Sequence, residues 1–221
     1  MEANNSRDVQ EKAGKRRHRG TFLIILGLIM IIGALGLTAY NIWDGKRAEK
    51  AANEISKVLI EKIGEDGSES SMQVPMFDPT KPMPTEIIDG NEYIGILEIP
   101  SLDITLPVTK EWSYDLLEIA ACRFYGSYYA DDLVICGHNY AKFFSPIKWI
   151  DIGADVYLTT AEGMMIHYVV TNRETLEPTD IDMFVTNMHN SETSTMDWDL
   201  TLFTCNTGGQ TRCAVRCSRV E

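Results

Sequence analysis

A chain of 221 residues, 44% of them hydrophobic, holds enough apolar material for one core of ordinary domain size plus an appendage. Its formal net charge of −12 argues against a general nucleic-acid binder, which carries a basic face. The charge is uneven: Lys12, Lys15, Arg16, Arg17 and Arg19 crowd just ahead of an uncharged run from Thr21 to Trp43.

That run is long enough to cross a bilayer. About 20 apolar residues, rising roughly 1.5 Å each, span a hydrocarbon core of about 30 Å. Basic residues on the N-terminal flank predict that residues 1–20 stay in the cytoplasm and that the chain beyond the span lies outside. Tyr40 and Trp43 stand where interfacial aromatics belong. A cleavable signal peptide carries a shorter apolar region, about 7–15 residues, so the expectation over 21–43 is an uncleaved signal anchor.

Residues 44–90 form a connecting region. Over 45–63, Ala48, Ala51, Ile55, Val58, Leu59 and Ile63 recur at three- and four-residue steps with Lys and Glu between them, which predicts an amphipathic helix. Gly64 to Asp89 is rich in Glu, Ser, Pro and Met, and Pro75, Pro79, Pro82 and Pro84 break any regular element. This stretch reads as a flexible spacer.

From residue 91 to 221 short apolar runs alternate with turn residues. Strands are expected at 93–99, 104–108, 133–137, 155–159, 165–170, 199–204 and 212–217, a spacing that points to an all-β barrel or sandwich. Residues 112–121 read as a helix, and 145–150 as a short helical turn. Residues 171–199 read as a long polar loop, and connections of that length in a compact domain are often functional.

The chemistry gathers at the C-terminal end. Leu200 to Cys205 and Arg212 to Cys217 read as two strands joined by the polar turn Asn206-Thr207-Gly208-Gly209-Gln210. A hairpin brings Cys205 close to Arg212, and a guanidinium beside a sulfur favours the thiolate and can hold a developing oxyanion. Arg216 shares a strand face with Arg212 but lies farther from the thiol, so it reads as a structural ion-pair or surface residue. The base candidate is His138, placed by Gly137 at the mouth of the apolar strand Leu133-Val134-Ile135-Cys136. By chemistry alone His189 remains a rival.

These segments resemble the sortases, cysteine transpeptidases of Gram-positive cell surfaces. Thr201-Leu202-Phe203-Thr204-Cys205 is similar to their TLxTC signature, and Gly137-His138-Asn139 to the step that carries their histidine. Thr211 to Arg216 resembles the strand of their catalytic arginine, and Tyr93 to Pro100 followed by Leu106-Pro107-Val108 resembles their opening strands. The resemblance covers roughly residues 91–220 and implies a closed, mainly β barrel with short helices, here preceded by a transmembrane helix and an amphipathic helix. It implies catalysis by His138, Cys205 and Arg212, with Thr204 contacting substrate or orienting Arg212. The implied substrate is a surface protein with a C-terminal signal of the LPxTG type, passed to a cell-wall precursor amine or a pilin lysine. The helix before the barrel resembles class B members, the arginine strand also pilin-building ones. Some pilin-building members carry an Asp-Pro-aromatic lid; Phe77-Asp78-Pro79 has those residue types in another order.

Three other readings fit these residues less well. A papain-like or wall-hydrolase peptidase places cysteine before histidine, whereas His138 precedes Cys205. An L,D-transpeptidase carries a Ser-x-Gly-Cys-x-Arg pattern that Phe203-Thr204-Cys205-Asn206 does not supply. A non-enzymatic surface binding module leaves the co-placement of the three residues unexplained. Cys122, Cys136, Cys213 and Cys217 read as core-facing thiols more than as a disulfide framework. They lack a paired CxxC, so neither zinc nor any cofactor is expected. Calcium would need carboxylates from separate loops, with Asp131, Asp132, Glu174, Glu177 and Asp180 as candidates that on an acidic surface are more often solvated.

Overall fold

The computed structural model describes residues 2–65, 71–72 and 74–220, with the side chains of 2–20, 65 and 71 left out of the description. Two compact units divide at Asp44 and Gly45. Helix α1, Glu2–Glu65, supplies all of the described part of the first and the opening of the second. Its stretch from Thr21 is apolar and long enough to cross a membrane by length and composition, and none of its most apolar window is buried within the protein.

In the second unit the end of α1 packs by its apolar face. Ala48, Ala52, Ser56, Leu59 and Ile63 are buried at steps of three to four residues, while Val58 stays exposed and Ala51 half-exposed. The buried stripe is therefore rotated slightly from the one the sequence predicts. Leu59 and Ile63 join Ile88, Tyr93, Ile96 and Ala120 in a small cluster outside the barrel. Ion pairs Arg47–Glu118 (2.7 Å) and Lys62–Glu86 (3.0 Å) flank the seam, worth little each because they are solvated.

The barrel strands are β3 (Asn91–Ile99), β4 (Ile104–Thr109), β5 (Ala121–Tyr125), β6 (Leu133–Cys136), β7 (Asp155–Thr160), β8 (Met164–Leu176), β9 (Leu200–Cys205) and β10 (Arg212–Arg219). They pair in the order β3-β4-β5-β6-β9-β10-β8, and β7 bridges β8 back to β3, so the eight strands close on themselves. Two short strands lie outside the ring, β1 (Ser71–Met72) along β8 and β2 (Glu86–Ile88) along β3. Strand β6 is buried on both faces, as its unbroken apolar run requires, whereas the first half of β8 alternates buried and half-buried. Leu97, Leu106, Leu133, Leu158, Ile166 and Val215 meet in one core.

Three local expectations change. The helix read over 112–121 is only one turn, α2 (Tyr114–Leu117), where Ser113 accepts from Leu116 N at 3.1 Å, and Ala121 onward becomes strand β5. Strand β8 runs to Leu176, well past the predicted 170, because β10 pairs with it through Arg212↔Leu176. The loop that remains holds a short helix, α3 (Ile181–Val185). Within the Pro-rich stretch, Asp78 N donates to Tyr129 O at 2.9 Å and Lys81 lies over the Tyr129 ring, so this part is fastened to the barrel. Residues 66–70 and 73 of that stretch lie outside the described residues.

Candidate active site

Strands β6, β9 and β10 are neighbours, and their ends bring the candidate residues together. Parallel pairing sets Cys136 opposite Phe203. Gly137 N continues the ladder to Phe203 O at 3.1 Å, one residue before His138. On the other flank Cys205 faces Arg212 directly in the antiparallel register. The turn between them is closed by Asn206 N to Thr211 O at 2.9 Å and Gly209 N to Asn206 O at 2.8 Å. Gly208 and Gly209 take φ of +88° and +73°, which a tight hairpin needs and side-chain-bearing residues resist.

Gly137 is fixed by close approach. A Cβ there would come 2.4 Å from the ring of buried Phe144, and Phe144 N in turn bonds His138 O at 3.1 Å. From the other side Thr204, 1% exposed, donates its hydroxyl to Gly137 O at 2.9 Å. The Thr204 hydroxyl ties the cysteine strand to the histidine step, and Thr204 is also among the residues that line the cleft at the thiol.

Arg212 is half-exposed, and its Nη1 donates to Gly209 O (2.8 Å) and Thr211 O (3.2 Å). Among the described residues no carboxylate pairs with it, and Arg212 lines the cleft that opens at Cys205. Arg216 differs throughout. It is buried, bonds Glu174 and Thr201 at 2.7 Å each, donates to the carbonyls of Met183 and Phe184, and stacks near Trp198. Burial lowers its pKa and Glu174 opposes that shift. Arg216 thus fastens α3 and the Trp198 segment to the barrel.

The other described histidines lie elsewhere. His189 binds Asp199 at 2.9 Å, just before β9 begins, and Cys205 is about 20 Å away at the far end of that strand. His167 pairs with Asp155 at 2.8 Å, and its neighbour Tyr168 registers with Arg219, at the end of β10 remote from Arg212. Asp131, His189 and Asp199 bring their ligand atoms within 4.8 Å of one another. Arg219 pairs with Asp131 and donates its backbone N–H to Asp199, so the group is an ion-pair knot that closes on itself. Of the acidic residues considered for calcium, Asp131 and Glu174 are thereby committed to arginines.

A cleft of about 190 Å³ opens at the thiol. Trp112, Tyr114 and Leu117 form one side, Phe124 and Phe203 the floor, and Pro178, Ile181 and Phe184 the other, with Gly137, Cys205 and Arg212 at its end. The aromatic rings interlock, Phe203 meeting Phe124 at 5.2 Å and Phe184 at 4.9 Å. The long loop thus supplies a wall, whereas none of the described residues 74–90 lines the cleft. The apolar side from Trp112 to Phe124 was not anticipated; only its aromatic richness hinted at it.

Burial pushes the thiols of Cys122, Cys136, Cys213 and Cys217 up. All five cysteines are free, and Cys205 alone is not buried.

A family model for the Sortase domain matches residues 97–220, more than half of the chain. The chain belongs to the sortase family. No curated protein matches its sequence significantly. Solved sortases share the fold. A sortase D5 transpeptidase of Clostridium perfringens superposes with a TM-score of 0.51 at 17% identity, over 79% of this chain and 98% of its own. Sortase A from Corynebacterium diphtheriae gives 0.51 at 18% identity, over 86% and 96%. Sortase C-3 from Streptococcus pneumoniae gives 0.50 at 19% identity, over 79% and 84%. These relatives carry three different class letters, and the fold alone favours none of them. The barrel here is thus a sortase barrel, preceded by a long apolar helix.

Proposed function

We propose that this sortase is anchored in the membrane by residues 21–43, with 1–20 in the cytoplasm and 44–221 outside. There it cleaves an LPxTG-type sorting signal and joins the cut protein to a cell-wall or pilin amine. The single observation that supports the reading is the register that sets Cys205 opposite Arg212 at one apolar cleft, which Gly137, the residue before His138, also lines. The Cys205 thiolate attacks the carbonyl after the signal's threonine, and the oxyanion is held by the Arg212 N–H groups that the turn leaves unused. Protonated His138 gives its proton to the departing amine nitrogen as the C–N bond breaks, leaving a thioacyl-enzyme. Neutral His138 then takes a proton from the incoming amine, which attacks the thioester, forms the new amide and frees Cys205. Thr204 holds Gly137, and through it the histidine step, in register with the thiol.

The test incubates wild type and Cys205→Ala, as full chains in detergent micelles, with LPxTG-type peptides and an amine acceptor. Mass spectrometry should find joined product and a thioacyl adduct on Cys205 in wild type and neither in the variant. Equal joining by the variant would remove Cys205 from the chemistry, and cleavage without joining by any acceptor would make the protein a peptidase.

A further inference from the structure

The reaction as drawn employs His138 but gives no task to Tyr140, two residues on. The Tyr140 ring lies stacked on the His138 imidazole, with centroids 4.0 Å apart and planes within 7°. The stack is held from several directions. Tyr140 packs against the main core, Phe143 meets its ring at a steep angle 5.6 Å away, and a Cβ at Gly45 of α1 would come within 4.0 Å of Tyr140 Cδ1. Its carbonyl accepts from Phe143 N at 3.1 Å and Ser145 N at 3.2 Å, so the residue sits in a closed turn.

We propose that Tyr140 is a positioning residue whose ring fixes the plane in which His138 hands its proton to the leaving amine. The inference rests on His138 as the acid and base of the reaction above. An imidazole on a single bond swings readily, and proton transfer needs its nitrogen within hydrogen-bond reach of the leaving atom. A flat ring at stacking distance restricts that swing, and its electron-rich face suits the imidazole when it carries a proton. The proposed restraint lies in the flat ring, which phenylalanine keeps.

A choice of leaving group separates positioning of His138 from mere packing. An amide donor needs a proton on nitrogen as its C–N bond breaks. The same peptide as a thioester loses a thiolate as its C–S bond breaks and needs no proton. With hydroxylamine as acceptor, a nucleophile largely neutral at pH 7, the thioacyl-enzyme is resolved with the proton lost to water.

Wild type, Tyr140→Phe, Tyr140→Leu and His138→Ala, as full chains in micelles, are assayed with an LPxTG-type peptide in both forms. Tyr140→Leu should lose about tenfold or more in kcat on the amide, with KM little changed, yet stay within about threefold of wild type on the thioester. Tyr140→Phe should match wild type on both, and His138→Ala should show the same selective loss more deeply. Equal loss on both donors by Tyr140→Leu, or loss on neither, overturns the inference. Should that variant not fold, Tyr140→Met keeps the bulk without the flat face and is read by the same two rates. If His138→Ala retains amide activity, the acid–base reading itself fails; if only the leucine variant retains it, that reading stands and the role of Tyr140 falls.

Discussion

Thr204 and Arg216 show how two polar side chains in adjacent strands brace the segments that surround the site. The Thr204 hydroxyl reaches across to Gly137 O, the residue before His138. Thr204→Val keeps the shape but leaves that buried carbonyl without its donor, at a cost of about 1–3 kcal/mol. Urea melting should register the loss, kcat should fall and KM should hold, whereas Thr204→Ser should recover much of both. A raised KM with full stability would instead mark Thr204 as a substrate contact. Arg216 ties Glu174, Thr201 and the α3 carbonyls together, so Arg216→Ala leaves the buried Thr201 hydroxyl and Phe184 carbonyl without their donor and should destabilise the fold by about 1–3 kcal/mol, measured by the same melts. Arg212 and Arg216 lie four residues apart on β10, and burial separates their tasks: Arg216 is enclosed, Arg212 half-exposed.

At the scale of elements, the hairpin of β9 and β10 and the β6 strand were legible because each declares itself locally. Unbroken apolar residues give a doubly buried strand, and a glycine-rich turn fixes the register that opposes Cys205 and Arg212. Strand β5 was hidden because Glu118-Ile119-Ala120-Ala121 has good helix formers at helical spacing, and only pairing with β4 and β6 decides otherwise. The far half of β8 was hidden likewise, since its exposed polar residues carry no alternation and are held by backbone bonds to β10. The aromatic cleft escaped notice because its members come from separate segments. Tyr140 directly follows the Gly137-His138-Asn139 step, but nothing in the letters says that two rings at i and i+2 will stack. The end of α1 yields its own test. Leu59 is fully buried against Tyr93 and Ile96, so Leu59→Ala should cost about 2–5 kcal/mol, whereas Val58→Ala on the exposed side should cost well under 1.

For the whole molecule the thiols give a global readout. Four are buried with pKa values raised by desolvation above an ordinary value of about 9. Unfolding lets them ionise from about pH 9 upward while the folded state keeps them protonated, so the unfolded chain binds fewer protons there. Stability contributed by these groups is therefore intact below about pH 9 and declines as pH rises beyond it, which chemical melts between pH 7 and 10.5 should follow. Iodoacetamide on the native protein should label Cys205 alone, with the other four reacting only after denaturation, as peptide mapping would read.

The bond between Thr204 and Gly137 joins residues 67 apart in sequence, across a parallel pair of strands. Such pairings form late, because the long intervening loop must be closed before any contact rewards it. On the reading proposed here, Cys205 acquires its histidine only when the barrel is nearly complete. A chain emerging from a translocation channel would carry an isolated thiol without an acid partner. Maturation of the nucleophile is then a by-product of finishing the fold, and the newborn enzyme is chemically quiet until it has arrived.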